Sequence, residues 1–333
     1  MFASSFLAWM RGEIFPVILA LTLLFIGTPA AESATEPRPE TAGGAIKHRL
    51  LLLDESRSQL LCVDQLAPEK NWQCKIAGGP AWGLQLTGNG NVLTAVPKLG
   101  GFREYNLESR KEVRAAFDAK RFAGAICATR LPDGHTVLGC ERRGGVRIFL
   151  LDPKDKEVAS WHFPEIKSIR QIRRTVRNTL LFGSGSDWIY EVSMEGKILR
   201  KARLAGAKYV YQVVELPNGN LLAAAGYGAF LAELTWDGKI VRKLGGLPAP
   251  KGLTYIFMSQ FQVLKNGHIL VATWTGHASG DSKKGQQLVE FDATGKVVWS
   301  WHDPALAGSI HSVIVLDDLD ASQFDEDAAR LKN

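Results

Sequence analysis

Residues 260–301, QFQVLKNGHILVATWTGHASGDSKKGQQLVEFDATGKVVWSW, read as four strands in succession. FQVL is apolar and runs into Asn266-Gly267, a pair that accepts positive φ at little cost and so suits a tight hairpin turn. HILVATW is a second strand rich in β-branched residues, followed by a long Gly/Ser/Lys loop. QLVEFD, the turn Thr294-Gly295 and KVVWSW complete the set. Four short antiparallel strands in about 42 residues make one blade of a β-propeller.

The rest of the chain repeats this unit. LTGNGNVL, LPDGHTVL and LPNGNLL place Gly90, Gly134 and Gly219 where the first blade has Gly267, and Arg177-Asn178 fills the remaining turn. The spacing stays in the forties, the mark of propeller arrays. EFDATGKVVWSW at 290 has copies in ELTWDGKIVRKL at 233 and EVSMEGKILRKA at 191, and weaker ones at 149 and 105. Residues 48–76 hold strands b, c and d with no strand a, whereas SIHSVIVLDDLD (309–320) is a strand a with no successors. Joining them closes the ring and leaves no open edge. The expectation is an all-β, six-bladed β-propeller of four-stranded blades over 46–320, its first blade closed by the C-terminal strand. A polar tail at 321–333 follows, with a short helix capped by Ser322.

GKVVWSW after an acidic strand, with LPNGN-type turns, resembles the PQQ-like (quinoprotein-like) repeat propellers and the related arylsulfotransferase-type repeats, over about 46–320. A PQQ dehydrogenase of that superfamily would imply a cofactor beneath a vicinal disulfide and a calcium held by acidic residues. No two cysteines are adjacent, and the Trp signature is clear only in the opening blade. No cofactor is therefore assigned, PQQ included, and no His, Asn and Arg set matches an arylsulfotransferase motif.

The N-terminus is a separate object. Residues 14–27 (IFPVILALTLLFIG) form an apolar run too short for a comfortable membrane span, followed by small residues at Ala30, Ala31, Ser33 and Ala34. This fits a secretory signal peptide over 1–34, with translation from Met1 or Met10, the alternative being an uncleaved anchor. A disordered, Pro/Glu/Thr-rich lead-in covers 35–45. The expected location is periplasmic or extracellular, with no stable membrane span after cleavage. There, counting outward from the intervening turns sets Cys62 opposite Cys74 and Cys127 opposite Cys140, so two disulfides are one reading and four buried thiols the other. The net charge is +6. Between Phe102 and Arg177 there are 17 Lys/Arg against 10 Asp/Glu, so the surplus lies in that stretch, which includes Arg170, Arg173, Arg174 and Arg177. Outside the cytoplasm this argues against nucleic acid; it leaves an acidic glycan or anionic surface as partner, or a solvated basic rim.

Residues seven or eight before each turn glycine fall near the propeller axis: Trp82, Ile126, Arg170, Tyr211 with Gln212, Gln260, and His311. Such a set either binds a polar or anionic small molecule or plugs the channel. The enlarged loop 274–287 adds Trp274, His277 and Asp281, with His277 and Asp281 as base and orienter or as two ligands of a metal lacking its third, the other reading being a solvated Gly/Ser/Lys loop. Two functional readings follow. One is a non-catalytic ligand- or partner-binding module using the channel mouth and the 274–287 loop. The other is a hydrolase, lyase or oxidoreductase with His277 or His311 as base and Arg170 stabilising an anion. Nothing in the sequence sets the oligomeric state.

Overall fold

The structure, a computed structural model, describes residues 46–317 and 319–331. The signal peptide and lead-in expected over 1–45 lie outside the described residues. The opening stretch folds as one blade of four strands, Phe257–Val263, Ile269–Trp274, Leu288–Phe291 and Val297–Trp301, paired in that order. Gly267 sits at φ +80°, the left-handed conformation that its turn requires. Four further blades begin with inner strands Trp82–Gly88, Ala125–Arg130, Ile169–Arg174 and Val213–Glu215. In the sixth sheet, Ile310–Val315 pairs with Arg49–Asp54, which continues to Gln59–Asp64 and Trp72–Lys75. Leu50 lies opposite Val315 and Leu52 opposite Val313. The ring is closed as the repeat arithmetic requires: six four-stranded antiparallel blades, all-β. Blades are numbered 1–6 below from the composite one.

The blades pack face to face, which explains why their second strands, such as Arg49–Asp54 and Leu221–Ala224, read as continuous apolar runs rather than alternating ones. In Arg49–Asp54, Leu51 and Leu53 pack toward blade 2 against Leu84, Leu86 and Val92, while Leu50 and Leu52 pack toward blade 6 against Leu270 and Leu288. The outermost strands have only one covered face and are exposed at alternate positions, as in Ile240–Gly245.

The inner strands also expose one backbone edge to the channel, and glutamines satisfy it. Gln85 bonds both the N–H and the C=O of Arg130 in the next blade (2.8 and 3.0 Å), and Gln262 does the same to Val315 (2.9 and 3.1 Å). Gln212 accepts from Phe261 N–H, and Gln260 receives Leu84 N–H while donating to the carbonyls of Leu84 and Val313. Each amide thus replaces a ladder partner that a closed ring cannot otherwise supply. Tail residues 319–331 turn back under this end of the channel, where Asp327–Arg330 forms a single helical turn.

Two expectations are corrected here. The residue at the N-cap of that turn is Glu326, not Ser322, whose own N–H is taken by Asp320. The four cysteines are free thiols, and the register separates each pair. Cys62 lies opposite Trp72, and Cys74 opposite Leu60. Cys127 lies opposite Gly139, and a bulge then puts Ala125 opposite Cys140. Cys127 consequently faces the blade 4 cluster and Cys140 the blade 2 cluster, so their Cβ vectors point apart. Burial pushes both of these thiols up to about 12.

Candidate functional site

The end of the channel opposite the tail is built from the start of the inner strands and the loops joining strands b and c. Trp82 opens the inner strand of blade 2, and its indole stacks on His311 of blade 1 with ring centroids 5.7 Å apart. Tyr211 of blade 5 meets His311 edge-on and shares a 2.7 Å hydrogen bond between its hydroxyl and Nδ1. Trp274, the last residue of strand b in blade 6, closes the group at 5.9 Å from His311. Three of the axial candidates therefore converge with Trp274 of the enlarged loop, from four different blades. Burial, with the charge of Arg170 added, pushes His311 down to about 3, so its ring is neutral at any physiological pH. It is a wall of the site, enclosed by rings.

Around this floor runs an arc of more exposed rings. Tyr227, on the b–c loop of blade 5, stands edge-on to Phe257 (4.8 Å) and Trp274 (6.4 Å). Tyr209 packs on Tyr227 at 6.0 Å. Tyr209 and Tyr227 are 36% and 44% exposed, unusual for aromatic residues packed on one another. Tyr209 also holds φ at +66°, a left-handed conformation that costs a bulky residue about 1–2 kcal/mol. Strain of this kind persists where the surroundings fix it, and it is concentrated at binding sites. Gly226 allows the crowding: a Cβ there would collide with the carbonyls of Lys208 and Tyr209.

The 274–287 loop contributes one strongly exposed titratable ring. His277 lies 4.6 Å from Trp274, and its Nδ1 is 2.8 Å from Oε1 of Glu55, at the end of the first strand of the chain. The second oxygen of Glu55 accepts the Trp274 indole N–H at 2.9 Å. Asp281, expected as the orienter of His277, does something else. It accepts the Ala278 N–H at 3.0 Å and pairs with Lys284 at 2.6 Å; the Lys284 ammonium holds its carboxyl below the ordinary range. Its part is to fold the loop; the orienter is Glu55. Sequence reading missed Glu55 because 222 residues separate it from His277. It missed Tyr209 and Tyr227 because neither occupies the inner-strand position used to align the blades.

The remaining candidates are structural. Gln212 and Gln260 are spent on the channel stitching, and Ile126 is buried without a polar group to offer. Arg170 stacks over Tyr209 at 4.7 Å but pairs with Glu141, so its charge is balanced. The same holds for the other blade 4 arginines: Arg173 meets Asp327, Arg174 meets Glu326, and Arg177 meets Glu191 and Glu215. Among the described residues no three His, Cys, Asp or Glu side chains are grouped to hold a metal. The mouth offers neither the vicinal cysteines nor the acidic cluster of the PQQ arrangement, so the residues present do not fit that group. No helix among the described residues is long and apolar enough to cross a membrane.

No family model matches the chain, and no curated protein does. Solved structures do. A protein of unknown function from Bacteroides caccae is 21% identical, covering 80% of this chain and 98% of its own, with a TM-score of 0.63. A catalytically inactive His-to-Ala variant of virginiamycin B lyase from Staphylococcus aureus, with quinupristin, is 15% identical over 68% of this chain and 70% of its own, with a TM-score of 0.50. The WD40 β-propeller domain of Doa1 is 18% identical over 67% of this chain and 71% of its own, with a TM-score of 0.51. At these identities the likeness carries the propeller fold and stops there.

Proposed function

We propose that this protein is an exported propeller that binds a polar or anionic ligand bearing a flat ring face at the loop mouth of its channel. The N-terminal apolar run with its trailing small residues supports export, and the resemblance to PQQ-like repeats supports a binding propeller of that broad kind. The observation that carries the reading is the ring arc: exposed Tyr209 and Tyr227 continue without a break into Trp274, His277 and the stack of half-buried Trp82 on buried His311. Such rings supply large contact area at low entropic cost. The indole N–H of Trp82 is buried with no acceptor among the described residues, a donor left for a bound molecule. Sugars of an acidic glycan and small aromatic acids both present what this surface would take.

The pairing of His277 with Glu55 favours a second reading, in which the same mouth turns over its ligand with His277 as the base. The lyase among the structural neighbours, inactive in its His-to-Ala variant, is consistent with that chemistry on a propeller.

A thermal-shift panel of neutral and acidic oligosaccharides and aromatic acids, followed by titration of tryptophan emission, tests the binding reading. A binder should raise the melting temperature with concentration and quench the emission. Tyr227→Ala should weaken it at least tenfold without altering the circular dichroism spectrum. A binder that tolerates Tyr227→Ala and Trp274→Leu alike would place the site elsewhere and refute the proposal.

A further inference from the structure

We infer that Glu55 and His277 form a proton-transfer dyad that hydrolyses carboxylic esters carrying an aromatic ring, an activity that rests on the binding mouth proposed above. The exposures set the case apart from an ordinary surface pair: the His277 side chain is 69% exposed and that of Glu55 only 3%. A carboxylate taken out of water needs full satisfaction, and a solvated histidine on a loop is a poor source of it. Its neighbour in sequence shows the alternative. Asp54 is also buried, but it is satisfied by Gly308 N–H, Arg57 N–H and Gln59, all internal.

The geometry fixes which nitrogen reacts. Glu55 accepts only, so the neutral ring must carry its proton on Nδ1, leaving the Nε2 lone pair as base on the solvent side. Trp274, held by the other oxygen of Glu55, is buried beside the imidazole and backs it, and the exposed Tyr227 packed edge-on against Trp274 is the ring an aryl group would rest on. The loop is pinned by Asp281 on Ala278 N–H and Lys284, and Gly276 at φ +134° approaches Asp281 closer than any Cβ allows.

One base at an aromatic wall suits acyl hydrolysis. Glycosidic cleavage uses a pair of carboxylates astride the bond, and Glu141, whose partner Arg170 lies over Tyr209, is tied to that guanidinium. In the step, Nε2 takes a proton from water as the water oxygen bonds to the ester carbon and the C=O pair moves onto oxygen. When the tetrahedral adduct collapses, the C–O bond to the alcohol breaks, and the imidazolium returns its proton to the leaving oxygen.

The test uses the full chain with 4-nitrophenyl acetate as the hydrolysed probe and 4-nitroacetanilide as its unreactive analogue. Wild type should release nitrophenolate above the buffer rate, and His277→Ala should lower that rate at least tenfold. Glu55→Gln should do the same with an unchanged melting temperature, because its carbonyl still accepts from Trp274 while its amide donates to Nδ1 and moves the proton to Nε2. Long-range proton–nitrogen spectra should show that tautomer inversion, which a merely structural role would not produce. A His277→Ala variant as fast as wild type overturns the inference, as does a Glu55→Gln variant with the rate and tautomer of wild type. If wild type shows saturable quenching by 4-nitroacetanilide yet hydrolyses the ester at the buffer rate, the dyad is refuted and the binding mouth stands. If no member of the ligand panel binds the mouth either, both fall.

Discussion

The two ends of the channel are made from the same six inner strands and meet opposite fates. At the turn end, the chain fills its own opening: Asp325, Glu326, Asp327 and Arg330 lodge against Arg173 and Arg174, with Arg174 bound to both oxygens of Glu326 at 2.7 Å. Each carboxylate meets a guanidinium, and the cavity left behind is about 30 Å³, room for a single water. At the loop end the polar groups are fewer and the rings more numerous. Tyr209 is strained, Tyr227 and His277 face outward, and the Trp82 indole N–H has no acceptor among the described residues. Carboxylates and guanidinium groups paired within the chain serve stability, and exposed rings with a donor beside them are what a ligand uses.

The first way to break this comparison is to remove the strand that makes both ends possible. A chain ending at 308 loses Ile310–Val315, which is buried throughout and pairs with Arg49–Asp54. It should fail to give a cooperative melt, because blade 1 keeps an open apolar edge; a chain melting like the full-length protein would refute ring closure. A milder cut at 320 removes the tail alone. With the ion pairs to Arg173 and Arg174 gone, about 3 kcal/mol should be lost, seen as a melting temperature lower by several degrees. Ligand binding at the loop mouth should survive; its loss would show that the tail end matters for function.

The seam between blades 6 and 1 should respond to pH. His48, buried, bonds Asp317 at 2.6 Å through Nδ1 and Glu290 at 2.8 Å through Nε2, and His268 bonds the other oxygen of Glu290 at 2.7 Å. Burial alone would lower His48, but the two carboxylates outweigh it and raise the ring from 6.5 to about 9. A group raised on folding contributes stability that is complete below pH 6.5 and lost as pH climbs through about 9. Thermal melts from pH 6 to 10 should show a decline on the order of 2 kcal/mol, and His48→Gln should flatten it. A wild-type profile flat across that range would exclude a charged His48. The smallest effect is the sharpest for function: Tyr209→Gly relieves the positive φ and should change stability by less than about 1 kcal/mol while weakening ligand binding several-fold. Equal binding would make the strained ring incidental.

The architecture was legible because it is written in local chemistry. The turn glycines recur at fixed steps, and the leucine run at 50–53 needs cover on both faces, so blade number and closure followed from counting. The axial rings Trp82, Tyr211 and His311 were reachable from the same alignment. What counting lacks is register and reach. Arg130 lies opposite Thr136, one residue off the symmetric count, and that register alone pairs Cys127 with Gly139 and sends Cys127 and Cys140 to opposite faces. A run of arginines in blade 4 read as surplus charge, yet its partners are Glu141, Glu191, Glu215 and the distant tail. Glu55 sits beside Asp54 in a sequence that treats them alike, and only the fold gives one to the interior and the other to His277.

The central claim is that the loop mouth, and not the tail end, is where this propeller meets its ligand. A crystal structure of the full chain with a ligand taken from the thermal-shift panel tests it most directly. That ligand should lie against Tyr227 and Trp274, within hydrogen-bond reach of His277 or the Trp82 indole N–H. A ligand seated instead between Arg173, Arg174 and a displaced tail would contradict it.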